Sequence, residues 1–381
     1  MSKHTINDLY QMQALPLSLK IRMTQRRIRD WVDYYGKDGV YVSFSGGKDS
    51  TALLHLVREI YPEITGVYVD TGLEYPEVKE FVRRHENVEI LRPKMNFRQV
   101  IMKYGYPFIS KEVADCVYGS RRYVEKLAER EKGLEHGGIV SNHTYMADLL
   151  GIDRREDKEN EAYKCLQRGE IPSADIKAPV RYLILQGKYP HKEKGVETSE
   201  YSKMYNKERY KFFLDAPFEI SAHCCSIMKK APMKNYAKRT GKMPMTAQMA
   251  SESRLRTMKW LENGCNGFEM KCPISNPMSF WTEQDVLAYI YCNHIPVASV
   301  YGEITADYGV EKAQENTMEL GLFDEGKPLF ETTGCNRTGC VFCGFGCHGE
   351  KSPNRWEIAE RFSNPAIIDY MLRSEEHTSE P

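Results

Sequence analysis

Ser45, Gly46, Gly47, Lys48, Asp49 and Ser50 follow one another without a break, and together they suit the grip of an anion such as phosphate. Two glycines let the backbone turn sharply and leave nothing between its N–H groups and a ligand. A helix starting at this point would add its positive end to the attraction of Lys48. The run differs from the Walker A loop, which places four residues between its glycines and Ser or Thr directly after Lys. Here Asp49 intervenes, so a different phosphate grip is implied.

A second group consists of thiols. Cys224 and Cys225 are adjacent, and Cys335, Cys340, Cys343 and Cys347 cluster far downstream. Neighbouring cysteines rarely bridge each other without strain, so the pair suggests two thiolates facing one metal centre. Cys340-x-x-Cys343 in a glycine-rich turn is a usual way to place two thiolates on one ion or cluster. Spacing alone leaves alternatives open. Cys335, Cys340, Cys343 and Cys347 suit a four-thiolate zinc clasp. The Cys-x4-Cys-x2-Cys spacing also matches plant-type [2Fe–2S] ferredoxins, in surroundings unlike that fold. Buried free thiols are the plainest option, because cysteine often behaves as a small hydrophobe, and Cys116, Cys165, Cys265, Cys272 and Cys292 are read as structural.

The elements that must position these groups show in the apolar pattern. Tyr41 to Ser45 is β-prone, and Ala52, Leu53, Leu56, Val57 and Ile60 recur at helical spacing, which predicts strand, tight turn and helix. Gly66 to Gly72 reads as a second strand ending in the turn Asp70-Thr71-Gly72. Pro76 opens a helix with Val78, Phe81 and Val82 on one face, and Val88 to Leu91 is a third strand. Alternating strands and helices at this spacing predict an α/β fold with a parallel sheet covered on both faces. Ligands of such sheets bind at the carboxyl ends of the strands, where both the glycine run and Asp70-Thr71-Gly72 fall. Leu19 to Tyr35 reads as an amphipathic helix whose arginines form a solvated face. Thr282, with Asp285 three residues on, reads as the N-cap of a further helix in a variant capping box.

SGGKDS, placed between strand and helix, resembles the PP-loop of the ATP pyrophosphatase superfamily, whose members cleave ATP between its α and β phosphates. Tyr68-Val69-Asp70-Thr71-Gly72 resembles the equivalent segment of the phosphoadenosine phosphosulfate (PAPS) reductase family within that superfamily. Glu252, Ser253 and Arg256 match that family's Gly-x-Arg-x-x-Glu-Ser-x-x-Arg segment, without its leading Gly and Arg, and Pro277 to Ile290 follows its pattern. The resemblance runs from about Tyr41 to Cys347. It implies a Rossmann-like, adenine nucleotide alpha hydrolase-like sheet with a smaller cysteine-rich C-terminal part. It also implies nucleotide contacts from Ser45, Gly46, Gly47, Lys48, Asp49, Ser50, Asp70, Thr71, Gly72, Glu252, Ser253 and Arg256, with Mg²⁺ beside the phosphates. The cysteine pattern resembles that of assimilatory adenylyl-sulfate reductases. By that resemblance Cys224, Cys225, Cys340 and Cys343 would hold a [4Fe–4S] cluster, with zinc as the alternative, and Cys335 and Cys347 would be left for redox or persulfide chemistry.

The expected organisation is a helical lead-in over 1–40, a nucleotide-binding domain over 41–275 with an insertion at 111–215, and a C-terminal region over 276–372. Residues 373–381 have the look of adapter read-through, and the natural chain is expected to continue past Leu372. A hydrophobic fraction of 41% beside 28% charged residues fits a soluble globular protein. The formal net charge of zero removes a global basic field as an argument for nucleic acid or an anionic membrane. With no membrane-spanning run, no signal-peptide pattern in Met1 to Lys20 and eleven cysteines, a reducing cytoplasm is expected.

Two activities are implied. In the first, Lys48, Asp49 and the loop hold ATP with Mg²⁺ for AMP-forming activation of an unidentified acceptor, a nucleic acid among the options, and a metal centre serves sulfur transfer or reduction. In the second, the chain is a PAPS or adenylyl-sulfate reductase with Cys347 as the echo of a nucleophile and a thioredoxin-like reductant. The intact SGGKDS loop and the absence of a Glu-Cys-Gly-x-His tail favour the first. A nucleotide-binding regulatory or defence component without turnover is the third reading. Oligomeric state is not legible.

Overall fold

In the computed structural model of this chain, residues 4–135, 180–193, 196–201, 205–307, 328–341 and 343–350 are described, with single positions 203, 352, 357 and 360. The tail 373–381, Cys165 and much of the expected insertion lie outside the described residues. The chain forms two compact units, one drawn from 1–97, 226–342 and 350–381 and the other from 98–225 and 343–349.

The first unit is built on a six-stranded sheet in the order Val88–Leu91, Gly66–Val69, Val40–Ser43, Met243–Met245, Ile274–Ser275 and Asn266–Gly267. The first five strands run parallel and the last pairs antiparallel with its neighbour. The α/β architecture expected from the sequence is therefore the observed one. Successive side chains of a strand point to opposite faces, and the central strand uses both. Val40, Val42 and Phe44 join a large core with Ile28, Trp31, Leu53 and Leu56, whereas Tyr41 packs with Val67 and Tyr236.

The helix Lys48–Arg58 buries eight of its residues. The helix Pro76–Arg83 starts on its proline and buries Val78, Phe81 and Val82. The helix Leu17–Tyr35 lies with its apolar face in the core, but one of its cations does not face water. Lys20 is 3% exposed and pairs with Asp285 at 2.6 Å. Asp285 also completes the capping box with Thr282 at the start of the helix Glu283–Cys292, and Trp281 Nε1 donates to Thr24 Oγ1 at 2.8 Å. Residues expected to open a C-terminal region, among them Met278, Phe280, Trp281, Val286, Tyr289 and Ile290, thus share the core of the helix Lys48–Arg58.

The second unit has its own core of Ile109, Val113, Val117, Ile184, Leu185, Phe213 and Ile220. A parallel pair joins Phe108–Ile109 to Gly344–Phe345, and a hairpin joins Pro190–Glu193 to Val196–Tyr201. Along the helix Lys111–Glu135, the Arg121 guanidinium donates to the carbonyls of Phe213, Ala216 and Phe218 at 2.6–2.8 Å. One half-buried cation thereby satisfies three carbonyls of a strand-free segment. No helix among the described residues is long and apolar enough to cross a membrane.

Candidate functional site

The glycine run sits at the carboxyl end of the central strand, where strand gives way to helix. Gly46 has φ +72, and a Cβ there would stand 2.7 Å from methyls of both Val78 and Val82. Backbone conformation and packing against the neighbouring helix therefore both demand glycine. The turn is held internally. Ser50 Oγ donates to the Gly47 carbonyl at 2.9 Å and lies 3.0 Å from Ser45 Oγ, while the Ser45 N–H donates to Ser50 Oγ at 3.1 Å.

Lys48 points into a cage assembled from distant sequence. Its Nζ donates to the Asn336 carbonyl at 2.8 Å and pairs with Glu283 at 2.8 Å. Its N–H donates to Tyr301 Oη at 3.2 Å, and that hydroxyl meets Thr338 Oγ1 at 2.6 Å. Burial pulls the Lys48 ammonium down, but the carboxylates of Asp49 and Glu283 outweigh it and hold it above its ordinary value. Such a lysine stays charged, as a phosphate grip requires.

Asp49 is in the opposite position. Its Oδ1 is buried with no hydrogen-bond partner, and Lys48 Nζ is 4.0 Å away. Burial raises its carboxyl first, Lys48 lowers it, and Glu283 raises it again, for a net upward shift from 3.8. The folded state therefore holds this proton more tightly than the unfolded one. The penalty is absent below pH 3.8 and is installed as pH rises through the folded value. Asp49→Asn should accordingly raise the Tm of the ligand-free protein at pH 7 slightly, by less than about 2 °C, since the side chain is 32% exposed. Thermal denaturation at pH 7 and pH 3 checks this, with the gain expected at pH 7 alone.

Glu252 accepts from the Met249 N–H at 2.9 Å, pairs with Arg256 in the same turn, and has Arg337 3.6 Å away. Burial and the neighbouring Arg337 both lower the Arg256 pKa. Ser253 is the N-cap residue of the helix Arg254–Asn263. At the next strand end, Gly72 adopts φ +83 and its N–H donates to Asp70 Oδ1 at 3.1 Å. The buried carboxylate of Glu74 braces this turn, accepting from the Thr71 N–H at 3.1 Å and from Thr71 Oγ1 at 2.6 Å, with Lys229 Nζ 4.0 Å off.

The chain matches the phosphoadenosine phosphosulfate reductase domain over residues 39–162 and 183–344, a span that includes both strand-end turns. It belongs to the PAPS reductase family. Among curated relatives, an uncharacterised protein of Methanocaldococcus jannaschii is 34% identical over 137 residues, 29% of this chain and 33% of that protein. A probable FAD synthase of Caenorhabditis briggsae is 28% identical over 94 residues, 22% of this chain and 18% of that protein. The chain thus spans at most about a third of the length of these relatives. A solved PAPS reductase from Candida auris, in complex with phosphate, is 13% identical with a TM-score of 0.33, over 72% of this chain and 82% of that one.

The thiols of this chain are distributed over both units. Cys340 and Cys335 belong to the first, and Cys224, Cys225, Cys343 and Cys347 to the second. Cys224 is buried, and Cys225, Cys340, Cys343 and Cys347 are half-buried. Cys347 Sγ lies 3.2 Å from the Cys343 carbonyl as a donor. Cys335 is a core residue whose thiol burial pushes up, and it is poorly suited to nucleophilic use. Cys265 and Cys116 are likewise buried, the latter with its thiol raised to about 11. Four thiols are suitable donors for a cluster or zinc, yet among the described residues no group of three or more His, Cys, Asp or Glu could hold a metal ion.

Glu283, Tyr301, Asn336 and Thr338 were not singled out from the sequence as site residues. No local pattern marks them, because their contacts with Lys48 and its partners cross hundreds of positions. Glu74 carried a weak signal, standing three residues after Thr71 in a turn.

Proposed function

We propose that this member of the PAPS reductase family binds ATP with Mg²⁺ and splits it into pyrophosphate and an AMP group carried by an acceptor. The observation that supports it is the intact loop, with a buried charged Lys48 beside an unpartnered Asp49 oxygen. Loop N–H groups and Lys48 Nζ would hold the β and γ phosphates in place of the Asn336 carbonyl and Glu283. An oxygen of the acceptor attacks the α-phosphorus; the bond from that phosphorus to the bridging oxygen breaks, and pyrophosphate leaves with the electron pair. Asp49 would hold Mg²⁺, a fit supported by its orphaned Oδ1; the ion supplies charge neutralisation of the phosphates. A relative named as a probable FAD synthase, whose product is by name an adenine dinucleotide, is in keeping with this reading.

The family match also favours a second reading, reduction of PAPS or adenylyl sulfate. There a thiolate, for which Cys347 is the candidate, attacks the sulfur and displaces the nucleotide, and a thioredoxin-like dithiol releases sulfite. Pyrophosphate released from ATP, with the AMP group carried by the acceptor until a second nucleophile displaces it as AMP, identifies the first activity. Sulfite released from PAPS, with ATP untouched, would overturn it.

Cys224, Cys225, Cys340 and Cys343 are proposed as [4Fe–4S] ligands from the sequence resemblance alone, since no three of the described His, Cys, Asp or Glu side chains are grouped to hold a metal ion, and no step above passes through a cluster. Protein purified without oxygen should then contain iron and acid-labile sulfide, both lost in Cys340→Ser. Stoichiometric zinc in their place would sink that assignment. A cytoplasmic setting, where such thiols stay reduced, is part of the proposal.

A further inference from the structure

Beside the nucleotide loop, the carboxyl ends of the strands Gly66–Val69 and Val88–Leu91 frame a cavity of about 300 Å³. Its lining is Tyr68, Asp70, Lys79, Arg83, Ile90 and Arg92. Three cations thus face one carboxylate. Lys79 is the cation nearest that carboxylate, at 3.5 Å from Asp70 Oδ1. Neither Arg83 nor Arg92 forms an ion pair among the described residues.

The decisive group is Tyr68. It is 3% exposed, and its hydroxyl is buried without a hydrogen-bond partner. An unpaired buried hydroxyl costs free energy, and the great majority of such groups in folded proteins are satisfied. A group entering the cavity can supply the missing partner. An acceptor fits better, because the other donors present, Lys79, Arg83 and Arg92, carry no acceptor of their own. The helix Pro76–Arg83 presents Lys79 and Arg83 four residues apart, one above the other on one face, while its Val78 and Val82 face Gly46. One helix therefore separates the loop's phosphate grip from this second cationic pocket.

We propose that this cavity is a second anion subsite, taking a tetrahedral oxyanion, phosphate or sulfate, free or as a terminal ester, with the Tyr68 hydroxyl and the Arg83 and Arg92 guanidinium groups as its donors. Arginine forks suit such groups bidentately, and the volume accommodates the oxyanion and part of its carrier. The subsite stands whichever nucleotide the loop takes.

Titration of the full chain with inorganic phosphate tests it, carried out in a Lys48→Ala background so that the loop does not contribute. Phosphate binding should persist there and weaken about tenfold or more in Tyr68→Phe and in Arg83→Ala/Arg92→Ala, the loss expected for a charged hydrogen bond. Tyr68→Phe also separates binding from folding. Deleting an unpartnered hydroxyl should leave the Tm of the anion-free protein unchanged or higher, while removing its phosphate-dependent rise. Repeating the titration with AMP names the source: tighter binding than phosphate supports a nucleotide ester in the subsite, and equal binding supports a free oxyanion. Loss of all phosphate binding on Lys48→Ala would overturn the proposal, as would binding untouched by the Tyr68 and arginine changes.

Discussion

Lys48→Ala should lower ATP cleavage by about 10²–10³-fold, the scale of losing one preorganised charge that meets the transition state. The ammonium is buried, fixed by the Asn336 carbonyl and Glu283, and kept charged by Asp49 and Glu283. It need not reorganise far to meet a phosphate. The chain should stay folded, because Glu283 is 48% exposed and its freed carboxylate meets water. Single-turnover pyrophosphate release, with a melting curve on the same sample, checks both halves. Cleavage retained near the wild-type rate would remove the loop from the mechanism.

Asp285→Ala should lower stability by about 3–5 kcal/mol, the cost of leaving a buried charge without its partner. Lys20 is 3% exposed, and Asp285 supplies both oxygens to it, at 2.6 and 2.8 Å. The same carboxylate accepts from the Thr282 N–H at 2.7 Å and closes the capping box, so a helix cap is lost as well. Glu283 is the next residue but one before it, so the helix start that delivers a carboxylate to Lys48 loosens too. Denaturant unfolding measures the loss. Lys20→Met with Asp285→Leu should recover much of it, because a buried pair replaced by apolar groups of similar volume is often neutral.

The strand, loop and helix over Val40–Arg58, the strands at Gly66 and Val88 and the helix from Pro76 were legible, because each carries its own periodicity and punctuation. The helix Ile6–Gln13 went unread although Thr5 and Asp8 form a capping box there; the signal was present in the sequence. The strands Met243–Met245 and Ile274–Ser275 are too short to show alternation, and they exist through pairing with the central sheet. Only the arginines of the helix Leu17–Tyr35 were read from the sequence as a solvated face; the burial of Lys20 was not foreseen, and it follows from an aspartate 265 positions away. The glycine turn between strand and helix was visible, but the cage around Lys48 was not, since Tyr301, Asn336 and Thr338 reach it by tertiary folding alone. The thiols were visible as residue types; which of them share a unit depends on the chain path.

The measurement closest to the central claim is calorimetric titration of oxygen-free protein with a non-hydrolysable ATP analogue plus Mg²⁺, and separately with PAPS. Tight binding of the analogue, lost in Lys48→Ala, is the predicted result. Tight binding of PAPS with none of the analogue would contradict it and restore the reductase reading.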